Sequence, residues 1–352
     1  MNILPLQQAI QTAVTNHTPL QLIGGNSKKF YGREITGQPL HLAEYRGILS
    51  YEPSELMITA RAGTPLQEII ATLANKNQCL AFEPPLFSET TTLGGIIACG
   101  FSGPARPYSG AARDFVLGVK CLNGKGEVLN FGGQVMKNVA GYDVSRLMVG
   151  ALGTLGVLLE ISCKILPLPR ETETIRLPVT SESEALAIIL KYTQANFPIT
   201  GSCFDGEAVY LRLAGANLTV VRKKFTSDVY LEPQLGQQFW QQLRDQQLDF
   251  FQTNQPIWRL SVPATTPPLG LAGKILIEWG GALRWLRSEL SAHEIREVVT
   301  AAGGHAILFK GGNRQGEIFH PLPTNLEILH QRLKLQFDPH NILNRNKMYA
   351  TW

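Results

Sequence analysis

The sequence predicts an α+β protein of two domains, with a C-terminal segment that returns to the first. Three observations predict it. Up to residue 169, short apolar strands empty into glycine-rich turns that open onto helices. Pro167 and Pro169 then end that pattern sharply. From residue 171 to about 315, strands alternate with longer helices, the order expected of one antiparallel sheet with helices on one side. A chain of 352 residues is long enough for two such domains sharing one interface. The expected boundaries are 1–169, 170–316 and 317–352.

Charged residues make up only 17% of the chain, against about 25% in ordinary soluble domains, and apolar residues 44%. That balance implies a large buried fraction, including a surface for a partner. The net charge of +4 is spread out, and the short run Arg222-Lys223-Lys224 suits a solvated helix face, so nucleic-acid binding is not indicated. Five scattered cysteines without a C-x-x-C suit neither a disulfide scaffold, a zinc site nor an iron–sulfur cluster, and fit a reducing cytosol. The first residues lack the layout of a signal peptide. The longest apolar run, 147–161, is too short to span a bilayer and is broken by Gly150, Gly153 and Gly156. The expectation is a cytoplasmic protein, with a peripheral place on the inner face of the membrane left open, and no transmembrane segment.

Residues 5–16 carry apolar side chains at helical spacing, and 20–23 form a strand. That strand runs into Gly24-Gly25-Asn26-Ser27-Lys28, where consecutive N–H donors, two hydrogen-bonding side chains and one ammonium suit a phosphate. Neither a Walker loop nor a Gly-x-Gly-x-x-Gly fingerprint is present. A strand over 56–61 follows; Thr64 as N-cap, Pro65 at the first helical position and Gln67 of a capping box then start a helix over 66–75.

The stretch 90–103 (TTTLGGIIACGFSG) is the centre of this half. Thr92 suits an N-cap, and paired glycines just inside a helix start allow close approach to the backbone. A helix start with bare N–H groups attracts anions. Two readings stay open on these residues alone, an anion cradle and an ordinary glycine-rich turn before a core helix. Strands over 115–122 and 128–131 enclose the hairpin turn Asn123-Gly124-Lys125-Gly126. After Gly132-Gly133 come the loop 137–143, a helix to Val149, the segment Gly153-Thr154-Leu155-Gly156 and a strand over 157–166. In the second half, helices are expected over 181–195, 235–248 and 292–302, and strands over 209–213, 258–262, 275–279 and 306–310. A helix over 325–336 and a polar tail complete the chain.

Two glycine-rich loops around a strand–helix–strand unit, followed by Gly-Thr-Leu-Gly, resemble the two-subdomain, PCMH-type FAD-binding domain of the vanillyl-alcohol-oxidase and D-lactate-dehydrogenase family, with an α+β cap domain after it. The resemblance implies FAD, with Gly24, Gly25, Asn26, Ser27 and Lys28 around its pyrophosphate. Thr92, Leu93, Gly94 and Gly95, with Ala98, Cys99, Gly103 and Asp114 beyond them, would run along pyrophosphate and flavin, and Gly153, Thr154, Gly156 and Val157 would pair with the adenine side. The motifs 137–143, 279–285, 303–306, 337–339 and 341–348 are similar to those of the E subunits of bacterial glycolate oxidases, over nearly the whole chain. That resemblance implies glycolate or D-lactate as substrate, and a larger FAD-linked subunit and an iron–sulfur subunit as partners.

Two departures matter. No histidine stands in 24–33, so FAD is expected to be held non-covalently, and His41 is a surface or strand-edge residue. His293, His305, His320, His330 and His340 show no tight ligand pair beside a carboxylate, so no metal is expected. One reading is therefore an enzyme subunit that oxidises glycolate on its own FAD, with Arg106, Lys137 or Arg284 orienting the carboxylate and His305 as base. The other is a binding and electron-transfer subunit that docks the catalytic flavoprotein. A third, a stand-alone flavin reductase, needs a proton donor near the ring, for which Cys99 is the one nearby candidate.

Overall fold

A computed structural model describes residues 3–133, 143–225 and 229–352. The chain divides into two compact units, one of Met1–Ser102, Gly110–Pro167 and Arg314–Trp352, the other of Gly103–Ser109 and Leu168–Asn313.

The first unit holds a five-stranded antiparallel sheet in the order Ile48–Glu52, Met57–Arg61, Val157–Lys164, Val116–Leu122, Val128–Gly132. Its central strand, Val157–Lys164, is covered on both faces, which accounts for an apolar sequence without clear alternation. Strands Val116–Leu122 and Val128–Gly132 are joined by the expected tight turn, in which Asn123 Oδ1 accepts from Lys125 N and Glu127 N, each at 2.9 Å. Leu20–Ile23 instead pairs in parallel with Gln38–His41, a strand too short and polar to stand out in the sequence. Ile10 of the helix Leu4–Thr15, Leu20, Leu40, Val157, Leu159 and Leu343 share one core, so both sheets are welded together.

The helix start near residue 64 differs from expectation. Thr64 does not cap the helix Leu66–Ala74; its hydroxyl accepts from Gly47 N at 2.8 Å, and Leu66 N donates to Thr91 O. The helix expected up to Val149 is a single turn, Val144–Leu147, capped by Asp143.

The C-terminal segment belongs to the first unit through a buried charge pair. In the helix Thr324–Phe337 and the turn after it, Lys334 and Asp338 are 2% and 0% exposed and meet at 2.7 Å. Lys334 Nζ also donates to Thr154 O (2.8 Å) and Leu343 O (2.9 Å), while Asp338 accepts from Ile342 N and Leu343 N. All three ammonium protons are used. The turn they fix lays the tail beside Leu20, whose N–H donates to Ile342 O at 2.7 Å.

The second unit is one seven-stranded sheet, antiparallel throughout, in the order Glu171–Pro178, Ala208–Gly215, Ile199–Phe204, Lys274–Glu278, Leu283–Arg287, Ile257–Ser261, His305–Lys310. Glu171–Pro178 and Leu283–Arg287 are strands that the sequence hides, because charged residues interrupt them. The expectation of helices on one side is corrected. Val209, Leu211 and Leu213 share a core with the helix Glu182–Gln194, whereas the intervening Tyr210 stacks on Phe239 (3.9 Å) and Arg212 lies over Trp240 (5.1 Å), both on the helix Pro233–Arg244. Successive side chains point to opposite faces of a strand, so the sheet carries a helix on each face.

Lys334→Met leaves Asp338 buried without its counter-charge and is expected to destabilise the chain by about 3–5 kcal/mol in urea unfolding, whereas adding Asp338→Asn recovers part of the loss. Equal losses in the single and double variants would contradict that coupling.

Candidate functional site

The glycine-rich segments Gly24–Lys28 and Thr90–Gly95 dock on each other. Thr90 Oγ1 donates to Gly25 O at 2.6 Å, and Thr91 Oγ1 to Ser27 Oγ at 3.1 Å. A Cβ at Gly25 would stand 1.4 Å from Thr90 O, so only glycine permits the contact. Gly94 is glycine for a similar reason: its Cβ would lie 2.6 Å from Ala62 Cβ. The space that these residues leave open serves chain packing before it serves any ligand.

The donors are distributed differently from the expected pattern. Thr92 does cap the helix Leu93–Cys99, accepting from Gly95 N at 3.2 Å. But Leu93 N donates to Thr64 O and Gly94 N to Ala62 O, so the first turn has no bare N–H to offer an anion. The unpaired donors lie in the other loop. Among the described residues, the backbone N–H groups of Gly24, Gly25, Asn26, Ser27 and Lys28 make no hydrogen bond. Asn26 sits at φ 55°, a left-handed conformation that asparagine tolerates.

These amides edge a cavity of about 940 Å³, counted out to its open mouth. Leu22, Ile23, Leu42, Leu152 and Leu158 give it apolar walls, and Lys28, Cys99, Asn344 and Lys347 line it as well. Lys28 Nζ donates to Ser27 Oγ at 2.9 Å, and Lys347 Nζ to Arg33 O at 2.9 Å; neither has a carboxylate within salt-bridge distance among the described residues. Burial holds both ammoniums below their ordinary range, Lys347 down to about 8, with Arg314 pushing it the same way. Five unpaired amides and two under-solvated cations beside apolar walls suit a diphosphate linking ring systems.

A protein-family model described as an FAD binding domain matches residues 3–132. The glycolate oxidase subunit GlcE of Escherichia coli K12 is 46% identical over 345 residues, 98% of this chain and 97% of that protein. The chain belongs to the GlcE family. A D-lactate dehydrogenase of Archaeoglobus fulgidus is 25% identical over 327 residues, 76% of this chain and 72% of its own. The glycolate oxidase subunit GlcD of Bacillus subtilis is 33% identical over 129 residues, 36% of this chain and 27% of that one. A solved alkyldihydroxyacetonephosphate synthase shares the fold, at TM-score 0.67 and 15% identity over 97% of this chain and 75% of its own.

FAD is thus the cofactor of this GlcE-family chain, and the cavity fits it. Of the residues expected around FAD, Gly24, Gly25, Asn26, Ser27, Lys28, Thr92, Gly94, Gly95, Ala98, Cys99, Gly153 and Gly156 line the cavity together. The other five lie elsewhere. Leu93, Thr154 and Val157 are buried in the core. Asp114 accepts from Ala111 N at 2.8 Å, and Gly103, in the second unit, accepts from Trp279 Nε1. Residues not foreseen complete the cavity: Leu22, Leu152, Leu158, Asn344 and Lys347. Asn344 joins three parts of its wall, accepting from Leu22 N (2.8 Å) and donating to Leu152 O (2.6 Å) from the tail. Burial raises the Cys99 thiol to about 11, so it stays protonated at neutral pH.

The substrate-orienting candidates fare differently. Arg284 is fully buried and committed to Gly281 O, Glu182 Oε1 and Thr266 O at 2.7–3.0 Å. It ties Glu182, Thr266 and Gly281 of the second unit together, and its full burial keeps it from a substrate carboxylate. The Arg106 guanidinium lies 4.4 Å from the Trp279 ring centroid. His305 is exposed at the start of its strand, Lys137 lies outside the described residues, and His330 is half-buried beside Trp352.

The pH sign follows from Lys347. An anion favours its protonated form, so FAD affinity is expected to hold below about pH 8 and to fall as pH rises beyond it. Flavin-fluorescence titrations between pH 6.5 and 9.5 check this; Lys347→Met should bind more weakly at the acid end and lose that dependence.

Proposed function

We propose that this chain is the non-covalent FAD-holding E subunit of a glycolate oxidase assembly, in which it works with a larger FAD-linked subunit and an iron–sulfur subunit in the cytoplasm. The observation that carries the reading is the row of unpaired amides from Gly24 to Lys28 at the edge of an apolar-walled cavity, in a chain similar to GlcE over 98% of its length. The substrate is glycolate, with D-lactate as a second 2-hydroxy acid.

When bound, FAD supplies the two-electron acceptor for oxidation of a 2-hydroxy acid to the 2-oxo acid. The chain's own residues do the holding. The amides of Gly24–Lys28 donate to the diphosphate, and Lys28 and Lys347 balance its charge at close range. The walls at Leu22, Leu42, Leu152 and Leu158 take up apolar ring surface and exclude water. Asn344 fixes the tail so that Lys347 faces the same cavity.

A second reading, a subunit that holds FAD and passes electrons without oxidising substrate itself, is favoured by the commitment of Arg284. One experiment separates them. The chain is purified alone, its visible spectrum recorded and glycolate added anaerobically. A yellow protein that bleaches supports oxidation by this chain, and one that bleaches only after the larger subunit is added supports the second reading. In both cases acid precipitation should release the flavin. A colourless protein that takes up no FAD would overturn the proposal.

A further inference from the structure

Gly32, Arg33 and Glu34 form a bracket between two residues of the C-terminal segment. Arg314 Nη2 donates to Gly32 O at 2.6 Å, and Glu34 N donates to Arg314 O at 2.9 Å. Between those two bonds, Arg33 N donates to Lys347 O and Lys347 Nζ to Arg33 O, each at 2.9 Å. Gly32 sits at φ 77°, and a Cβ there would stand 3.0 Å from Lys347 Cε, so glycine lets the lysine lie across the bracket. The Arg33 guanidinium closes the arrangement by donating to Gly316 O. Arg314 and Lys347 therefore share one short frame, and all of it lies within the first unit.

The two cations have different places in that frame. Lys347 lines the FAD cavity, and Arg314 does not. Arg314 is half-buried, and burial lowers its guanidinium only to about 10, so it is charged at neutral pH. A like charge held this close disfavours the Lys347 ammonium, adding to what burial does. The other groups facing that ammonium are Cys99 and Glu34, which act in the opposite sense, while Lys28 and Tyr31 line the same cavity. Cys99 is a neutral thiol at neutral pH, and Glu34 is exposed, where solvent and salt screen it. Arg314 thus weakens the charge whose position its own bracket fixes.

We infer that Arg314 is a positioning residue for the cofactor: through the bracket Gly32–Glu34 it holds Lys347 at the FAD cavity and, by its charge, makes FAD retention sensitive to pH. The inference rests on the reading that FAD occupies that cavity. Arg314 acts on the cofactor only through Lys347.

The test is the pH profile of FAD affinity, read by flavin fluorescence on the purified chain from about pH 6.5 to 9.5. Arg314→Met removes bond and charge together. It should bind FAD about fivefold more weakly at the acid end. The pH at which its affinity falls should move up from about 8 by about one unit, because a like charge has gone. Arg314→Lys keeps a charge and a donor and should return most of both. Adding Arg314→Met to Lys347→Met should change nothing further, because the effect runs through that ammonium. If Arg314→Met does not fold, as its thermal midpoint will show, Arg314→Gln keeps a donor for Gly32 O and should still raise the pH of the fall. An unchanged profile, or a weaker one with that pH unmoved, would mark a merely structural role and overturn the inference. So would an equal loss on the wild-type and Lys347→Met backgrounds. If Lys347→Met itself leaves FAD affinity unchanged in a chain that binds FAD, the placement of FAD at this cavity falls and the inference with it.

Discussion

The candidate site of the first unit depends on five successive backbone amides that have no acceptor among the described residues. The loop is half-exposed, with Asn26 exposed, so water serves these amides until an anion displaces it, and the described residues offer Gly24–Lys28 no acceptor of their own. The loop nevertheless keeps its shape, because it is clamped from behind. Thr90 and Thr91 hold its carbonyl and hydroxyl side, and the absence of a Cβ at Gly25 lets it settle against them. A donor row fixed in place before a ligand arrives does not have to be ordered by that ligand. Preorganisation of this kind favours an anion.

The rest of the unit serves the same end at longer range. The strand that delivers the loop, Leu20–Ile23, has one neighbour in Gln38–His41 and a second in the C-terminal tail. The tail is held there by Lys334, Asp338 and Asn344, and it brings Lys347 to the cavity. A polar anchor deep in the structure therefore sets the position of a cation at this cavity. With Lys334 facing inward, Leu326, Leu329 and Leu335 of the same helix are exposed.

Much of this was legible in the sequence, and the failures have physical causes. Local signals were dependable. The strand at 20–23, the Asn123 turn and the Thr92 cap are each specified by a few adjacent residues, and the structure contains all three. Long-range partners were not legible. Thr92, Gly94 and Gly95 looked like the start of an anion-binding helix, but its N–H groups are spent on Ala62, Thr64 and Thr92 itself. Gly94 does line the cavity, but its missing Cβ also makes room for Ala62, a contact the sequence does not announce. Asn344 and Lys347 act at a loop more than 300 residues away, and a polar tail gives no local sign of such a contact. Arg284 suited a carboxylate clamp by residue type, and only the fold shows its donors taken.

The most direct measurement is amide hydrogen exchange with and without FAD. Saturating FAD should slow exchange at residues 24–28 by about tenfold or more, because their amides gain acceptors only in the complex. Residues 93–95, already bonded within the chain, should change little. Protection confined to 93–95, or no protection at 24–28 in a chain that demonstrably binds FAD, would contradict the placement of the cofactor on this loop.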